Sequence, residues 1–256
     1  MSRQSSHGAI RLAVIGDFQL GKSSLVNCLL AKAQTKTGRG YRPTTDAVTE
    51  YPLAPGVLIV DTPGFDDKCR ERTLLSEESI RSVDAVLFIK METGLKDHDE
   101  RILRLVDRKP LIVVFNCWNR TQESRWKPNL PENVETCEII QRDIERLGMA
   151  DSVLHIGEKP VFPINVLWAQ FGLGQPISEE QWDDIVKFAN TKLGLDMEES
   201  VLRAEMLQRS GFLPVRDFLK NLPLEILKHV AANPQHEIER VVDRFAEELK
   251  KRWAAA

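Results

Sequence analysis

The chain has 256 residues, 42% hydrophobic and 29% charged, proportions that exclude a disordered or fibrous protein and supply a core without disulfide or metal staples. Its 35 basic and 38 acidic residues leave a formal charge of -3, so no sequence-wide positive excess exists to neutralise a phosphate backbone, and nucleic acid is not expected as a partner. The N-terminal MSRQSSHG has no apolar signal region, and LAVI, VLIV and LIVVF fall far short of the ~20 residues that span a bilayer; a cytoplasmic protein is expected, any membrane contact being peripheral.

Short β-branched runs predict strands at Ile10–Ile15, Ala47–Leu53, Val57–Val60, Ala85–Ile89, Leu111–Phe115 and Val161–Ile164. Helical periodicity lies between them at Lys22–Ala31, Leu74–Ser82, His98–Val106 and Val134–Leu147. Strands separated by helices imply an α/β fold with a doubly wound, mainly parallel sheet, while Ala47–Leu53 and the strand after Gly56 suggest an antiparallel hairpin at one edge. From about Pro176 only helical signals remain, broken at Gly194, Gly211, Pro223 and Pro234. The expected division is therefore a core over residues 1–175 and a C-terminal helical extension over 176–256. Cys28, Cys69, Cys117 and Cys137 show no zinc-ligand spacing and read as reduced thiols. The acidic run Lys96-Asp97-His98-Asp99-Glu100 reads as a helix start, its carboxylates capping N–H groups, in preference to a metal site.

The first strand runs into Gly16-Asp17-Phe18-Gln19-Leu20-Gly21-Lys22-Ser23-Ser24, which matches Gly-x4-Gly-Lys-Ser at a strand-to-helix junction. Glycines let backbone amides wrap phosphate oxygens. Lys22 then reaches the β and γ phosphates, and the Ser23 hydroxyl ligates Mg²⁺. Without phosphate, Lys22 is expected to point into solvent. After Val57–Val60 comes Asp61-Thr62-Pro63-Gly64, a DxxG whose carboxylate holds the magnesium water shell and whose Gly64 amide senses a γ phosphate. In the intervening YRPTTDAVT, Thr44 or Thr45 supplies a hydroxyl to Mg²⁺, with Thr45 slightly favoured.

Together GDFQLGKSSLVNCLL, PTTDAVT and DTPG resemble the dynamin-like GTPases of the translation-factor-like class. The resemblance extends to FNCWN at Phe115–Asn119, similar to the family's Asn-(Lys/Arg)-x-Asp base motif, and to PINVLWA at Pro163–Ala169, similar to its Pro-(Ile/Val)-Ser-Ala-Leu segment. It implies a GTP/GDP-binding domain with Mg²⁺, hydrolysis of GTP, and homodimerisation through the nucleotide face. Asn116, Asn119 and Asn165 are carried over to the base site, and Lys22, Thr45 and Gly64 to catalysis. A peripheral membrane or protein partner is the further implication.

The chain also departs from the pattern. Asn119 stands where Asp accepts two guanine hydrogen bonds; an amide accepts one and presents a donor at the other, a difference of ~1–3 kcal/mol in guanine selectivity. Cys117 replaces the basic residue that covers the ring. Asn165 and Val166 replace Ser-Ala. Phe18 and Phe65 stand where relatives carry a water-orienting Gln, so weak hydrolysis completed by self-association is expected, with a non-hydrolysing, nucleotide-gated interaction module as the alternative. Gln19 for a monovalent cation, and Arg39 and Arg42 for phosphate charge, are weaker candidates beside plain solvent exposure. Ile238, Val241, Val242, Phe245, Leu249 and Trp253 form an apolar stripe in a final helix expected to dock on its own domain, with the remnant of a stalk or an oligomerisation helix as the alternative.

Overall fold

The computed structural model describes residues 9–16, 20–31, 49–61, 77–78, 80–106, 108–118 and 126–234. Among these residues six strands form one sheet: β1 (Ile10–Ile15), β2 (Thr49–Ala54), β3 (Val57–Asp61), β4 (Ala85–Lys90), β5 (Leu111–Asn116) and β6 (Val161–Ile164), in the order β2-β3-β1-β4-β5-β6. All pairings are parallel except the β2–β3 hairpin at the edge. Pro52 fits an edge strand because a missing N–H matters least there, and the register shifts between Pro52 and Ala54 before the turn at Gly56.

Alternation along the central strands divides the core in two. Leu12, Val14, Ile59, Leu87, Ile89, Ile112 and Val114 face one side and meet Leu25, Val26 and Leu29 of α1 (Lys22–Leu30). Ala13, Ile15, Val60, Val86, Phe88, Val113 and Phe115 face the other. They meet Ile102, Leu103 and Val106 of α2 (Asp97–Val106) and Ile140 and Ile144 of α3 (Pro131–Arg146). Helix α3 starts three residues ahead of the Val134 expected from periodicity. Pro131 is pre-set for the first helical position, where an N–H is not needed, and the Asn133 and Val134 amides already bond to Leu130 O.

The strands β3, β4 and β5 each run one residue beyond their apolar patterns, ending in Asp61, Lys90 and Asn116. Ladder pairing continues there, Val14 opposite Asp61, Lys90 opposite Phe115 and Asn116 opposite Ile164. Polar side chains are thus held on rigid backbone at the carboxyl ends of the strands.

After β6 the described residues, to Pro234, are mainly helical: α4 (Val166–Gly172), α5 (Glu179–Phe188), a π-helical turn at Ala189–Leu193, α6 (Glu199–Arg209), α7 (Phe212–Lys220) and α8 (Leu222–Ala232). Ser178 and Gln181 form a reciprocal capping box at the start of α5. A third cluster gathers Trp126, Trp168, Phe171, Ile185, Phe188, Leu202 and Met206. Phe188 sits 5.0 Å from the ring of Trp126 and 5.6 Å from that of Trp168, centre to centre, while Phe212, Val215, Leu219 and Leu222 return to the α1 face of the sheet. The corner at Gly211 (φ 72°) needs glycine, since a Cβ there would lie 2.6 Å from Pro163 O.

Cys28, Cys117 and Cys137 are buried and in no disulfide; burial pushes the Cys137 thiol up to about 12 and raises that of Cys28 as well, so neither supplies a thiolate near neutral pH. Among the described residues no helix is long and apolar enough to cross a membrane. The stripe from Ile238 to Trp253, Cys69, Arg39 and Arg42 lie outside the described residues.

Candidate functional site

At the carboxyl ends of the strands, Gly16, Asp61 and Asn116 follow or end β1, β3 and β5, on either side of the point where the sheet order reverses about β1. Crevices of open α/β sheets form at such a reversal. Gly16 is buried with φ 146°, and a Cβ there would lie 2.4 Å from Ile89 O; only glycine lets β1 turn out of the sheet against β4. Gly21, left-handed at φ 87° and ψ 20°, opens α1, and the first helical bond runs from Leu25 N–H to Gly21 O at 2.8 Å. The amides of residues 22–24 therefore precede that bond, at the positive end of the helix dipole.

Lys22 departs from the sequence expectation. Its side chain does not extend into solvent: the residue is 8% exposed, and Nζ donates to Gly16 O at 2.9 Å. The physical reason is that the strand-to-helix turn brings a backbone carbonyl within reach of the ammonium, which gains a hydrogen bond without leaving the loop. Ser23 and Ser24 are half-buried in the first turn of α1. Asp61 is 2% exposed at the last position of β3.

Asn116 joins three segments. Its Nδ2 donates to Leu20 O at 3.2 Å, and its Oδ1 accepts from Val166 N at 3.1 Å and, more weakly, from Trp118 N at 3.5 Å. The loop before Lys22, the segment after β5 and the start of α4 are fixed relative to one another by this amide.

Asn165, expected to contact the nucleotide, is 0% exposed with both polar atoms engaged inside the protein. Its Oδ1 accepts from Trp168 N at 3.0 Å, capping α4, and its Nδ2 donates to Trp126 O at 2.9 Å. Cys117 Sγ also lies 3.4 Å from Trp126 O, and Trp118 packs against the aromatic cluster of the C-terminal helices. Sequence reasoning did not single out Trp126. Its isolated position among polar residues gives no periodic signal.

The structure thus brings Gly16, Leu20, Gly21, Lys22, Ser23, Ser24, Asp61, Asn116 and Asn165 to the carboxyl-end rim of one sheet. Asp17, Phe18, Gln19, Thr44, Thr45, Gly64, Phe65 and Asn119 lie outside the described residues. Near the rim, the acidic run after β4 starts α2, as expected: Asp99 Oδ2 accepts from Lys96 N at 2.9 Å. It adds what the sequence did not reveal, a bond from buried Lys90 Nζ to the same oxygen at 2.5 Å. Among the described residues no cluster of His, Cys, Asp and Glu has the arrangement of a metal site of its own.

A glycine loop between a parallel strand and a helix, with its lysine at the mouth and a carboxylate ending the neighbouring strand, defines the class as a P-loop GTPase fold. Residues 11–117 match the family model described as the 50S ribosome-binding GTPase. The chain is similar to the GTPase Der of Thermotoga neapolitana, 35% identical over 124 residues that cover 43% of this chain and 28% of that one. It is similar also to the tRNA modification GTPase MnmE of Moorella thermoacetica, 30% identical over 114 residues, covering 42% of this chain and 25% of that one. It therefore spans about a quarter of the length of these curated relatives. Era of Aquifex aeolicus bound to GDP and aluminium fluoride is 18% identical, with a TM-score of 0.46 over 74% of this chain and 69% of that one. Era with MgGDPNP and nucleotides 1506–1542 of 16S ribosomal RNA gives 18% and 0.45 over 70% and 66%.

The family model and the curated relatives support the P-loop GTPase class and not the dynamin-like subgroup. The motifs that suggested dynamins are the phosphate-binding elements, which the chemistry of the nucleotide imposes on the whole class. The expectation that nucleic acid is no partner is also corrected. The matched family is described as 50S ribosome-binding, and MnmE is named for tRNA modification. A net charge of -3 averages over the whole surface and excludes only uniform basicity, so it carries no information about a local RNA-binding face.

Proposed function

We propose that this chain binds GTP and GDP with Mg²⁺ and hydrolyses GTP to GDP and phosphate, slowly when isolated. The observation that carries the reading is the Lys22 ammonium seated on Gly16 O at the junction of β1 and α1. Gly16 and Gly21 make the fit: the first leaves no room for a Cβ, and a Cβ on the second would stand 3.2 Å from Asn116 Nδ2.

In this reading the amides from Gly16 to Ser24 cradle the phosphates, with Asp17, Phe18, Gln19 and Leu20 contributing backbone. Lys22 exchanges Gly16 O for β and γ phosphate oxygens and stabilises charge developing on them. The Ser23 hydroxyl, the Asp61 carboxylate and Thr45 would hold Mg²⁺, and the Gly64 amide senses the γ phosphate. Bound Mg²⁺ supplies neutralisation of charge shared by the β and γ oxygens. Asn116 positions the base segment and Asn119 contacts the base. Residues 1–175 are the nucleotide-binding core and 176–256 a helical extension of it.

Purified chain titrated with GTP, ATP and XTP in Mg²⁺ should bind GTP most tightly. Phosphate release should then run on the order of 10⁻⁴ to 10⁻² per second in dilute solution. The specific rate should rise with protein concentration where a second copy supplies the water-orienting group that Phe18 and Phe65 do not. A specific rate flat over a hundredfold range would reject activation by self-association. Normal binding without turnover would favour the second reading, a nucleotide-gated interaction module, for which Phe18 and Phe65 in place of Gln argue. Ribosomal or transfer RNA joins the partners to be tested in each nucleotide state, as a salt-dependent association.

Asn119→Asp is expected to raise the preference for GTP over XTP about tenfold, since a second acceptor for guanine adds ~1.4 kcal/mol. Equal affinity ratios before and after would remove FNCWN from the base site.

A further inference from the structure

Helix α1 carries the amides and the lysine assigned to phosphate at one end, and its other end is held by a residue far along the chain. Gln175, in the segment between α4 and α5, is 9% exposed; its Nε2 donates to Asn27 O at 2.7 Å, and its Oε1 accepts from Cys28 Sγ at 3.7 Å. Its own N–H donates to Gln170 O at 3.0 Å, which fastens it to α4. Asn27 O is already served without Gln175, because the Ala31 N–H that closes α1 donates to it as well. Ala31 is left-handed (φ 52°, ψ 22°), the one non-glycine among the described residues with a positive φ. An L side chain keeps that conformation only where its surroundings impose it. The bond from Gln175 therefore does more than cap a helix end.

We propose that Gln175 is a positioning residue for phosphate binding, acting through the Asn27 carbonyl and α1 without touching the nucleotide. The inference rests on the nucleotide reading above. Backbone amides at a helix start cannot move independently of the helix, so they meet phosphate oxygens only as well as the whole rod, nine residues and ~13 Å long, is placed. Leu25, Cys28 and Leu29 of α1 share an apolar cluster with Val166, Ala169 and Leu173. Such packing is non-directional and resists separation better than sliding or rotation. Hydrogen bonds are directional and fix the register. Asn116 supplies them at the phosphate end, joining Leu20 O to Val166 N at the start of α4, and Gln175 supplies them at the far end, just beyond α4. Side-chain amides thus brace α1 against α4 at both ends.

The test compares wild type with Gln175→Met, which keeps the length of the side chain and removes both bonds, and with Gln175→Glu, which keeps the acceptor and removes the donor. GDP and GMP affinities are measured in Mg²⁺ well below the melting temperature of each variant, which is recorded separately. GMP lacks the β phosphate assigned to Lys22 and the start of α1. The expected result for Gln175→Met is a fall of about fivefold in the GDP-to-GMP affinity ratio, since displacements of a fraction of an ångström forfeit part of each bond, with GMP binding nearly unchanged. Gln175→Glu should fall at least as far. Gln175→Met is also combined with Ala31→Gly, which relieves the left-handed turn and raises stability by an independent route. The pair should regain melting temperature and keep the lowered ratio. An unchanged ratio in both single variants would overturn the proposal. So would a ratio that recovers together with the melting temperature in the double variant, the mark of a purely structural residue. Equal losses for GDP and GMP would overturn it as well, by moving the effect away from the β phosphate. Wild-type protein that binds neither nucleotide would instead overturn the reading of the site itself.

Discussion

Lys22→Ala is expected to abolish binding of Mg²⁺-GTP, by a hundredfold or more, while the domain stays folded. The ammonium is the only charged side chain seated within the described part of the glycine loop, 8% exposed and 2.9 Å from Gly16 O. Charge-assisted bonds to phosphate are roughly twice as strong as neutral ones, and two of them readily amount to ~3 kcal/mol, which is about two decades of affinity. The fold should tolerate the change because alanine is the best helix former at the first position of α1, and the hydrophobic clusters on the two faces of the sheet do not include Lys22. One cost is that Gly16 O loses a partner, worth on the order of 1 kcal/mol where water is a poor substitute. Calorimetric titration with GTP checks the first part and thermal melting the second. Retained affinity would show that the loop is a turn and not a phosphate cradle.

Much of this site was legible in the sequence because its logic is local. The spacing of Gly16, Gly21, Lys22 and Ser23 after an apolar strand is a short-range pattern, and Asp61 and Asn116 are the first polar residues after apolar runs, which puts them at strand ends. The sheet followed from the same alternation. What was not legible depends on distances across the fold. Nothing within a few residues of Asn165 says that its amide spans to Trp126, 39 positions away. Nothing near Lys90 says that the last residue of an apolar strand turns back to Asp99, although a lone lysine closing AVLFIK was itself a signal. The prediction for Lys22 failed for a related reason: charge suggests solvent, but a carbonyl brought close by the turn competes with water. Net charge could not exclude an RNA-binding face because composition has no spatial content.

The Lys90–Asp99 pair carries the largest expected effect on stability. Both side chains are essentially excluded from solvent, at 2% and 0% exposure, and Nζ and Oδ2 are 2.5 Å apart. The same oxygen accepts from Lys96 N at the start of α2, and His98 Nε2 lies 3.4 Å from the other. Replacing one partner leaves an uncompensated charge where water cannot follow, a loss of ~3–5 kcal/mol. In a domain of this size that corresponds to a melting temperature lower by on the order of 10 °C. Asp99→Ala should be the most severe variant, since it strands the ammonium and removes the cap of α2 together. Lys90→Met should cost less, because Lys96 N–H still serves the carboxylate. Lys90→Met combined with Asp99→Asn leaves no buried charge and keeps a cap acceptor, so it should recover much of the loss. With Asp99→Asn alone completing the cycle, strictly additive melting shifts would show that the two groups do not interact.

The pair also bears on the phosphate loop, because Lys90 follows Ile89, whose carbonyl oxygen would lie only 2.4 Å from a Cβ on Gly16. If the end of β4 is the wall against which the loop turns, loosening it should weaken nucleotide binding as well as the fold. Thermal melts with saturating GDP distinguish the two effects. A ligand of unchanged affinity adds the same RT ln(1 + [L]/Kd) to each variant, so parallel upward shifts confine the pair to stability. A smaller GDP shift in Asp99→Ala than in wild type is the expected result, and its restoration in the double variant would make Lys90 and Asp99 part of what holds the loop in shape.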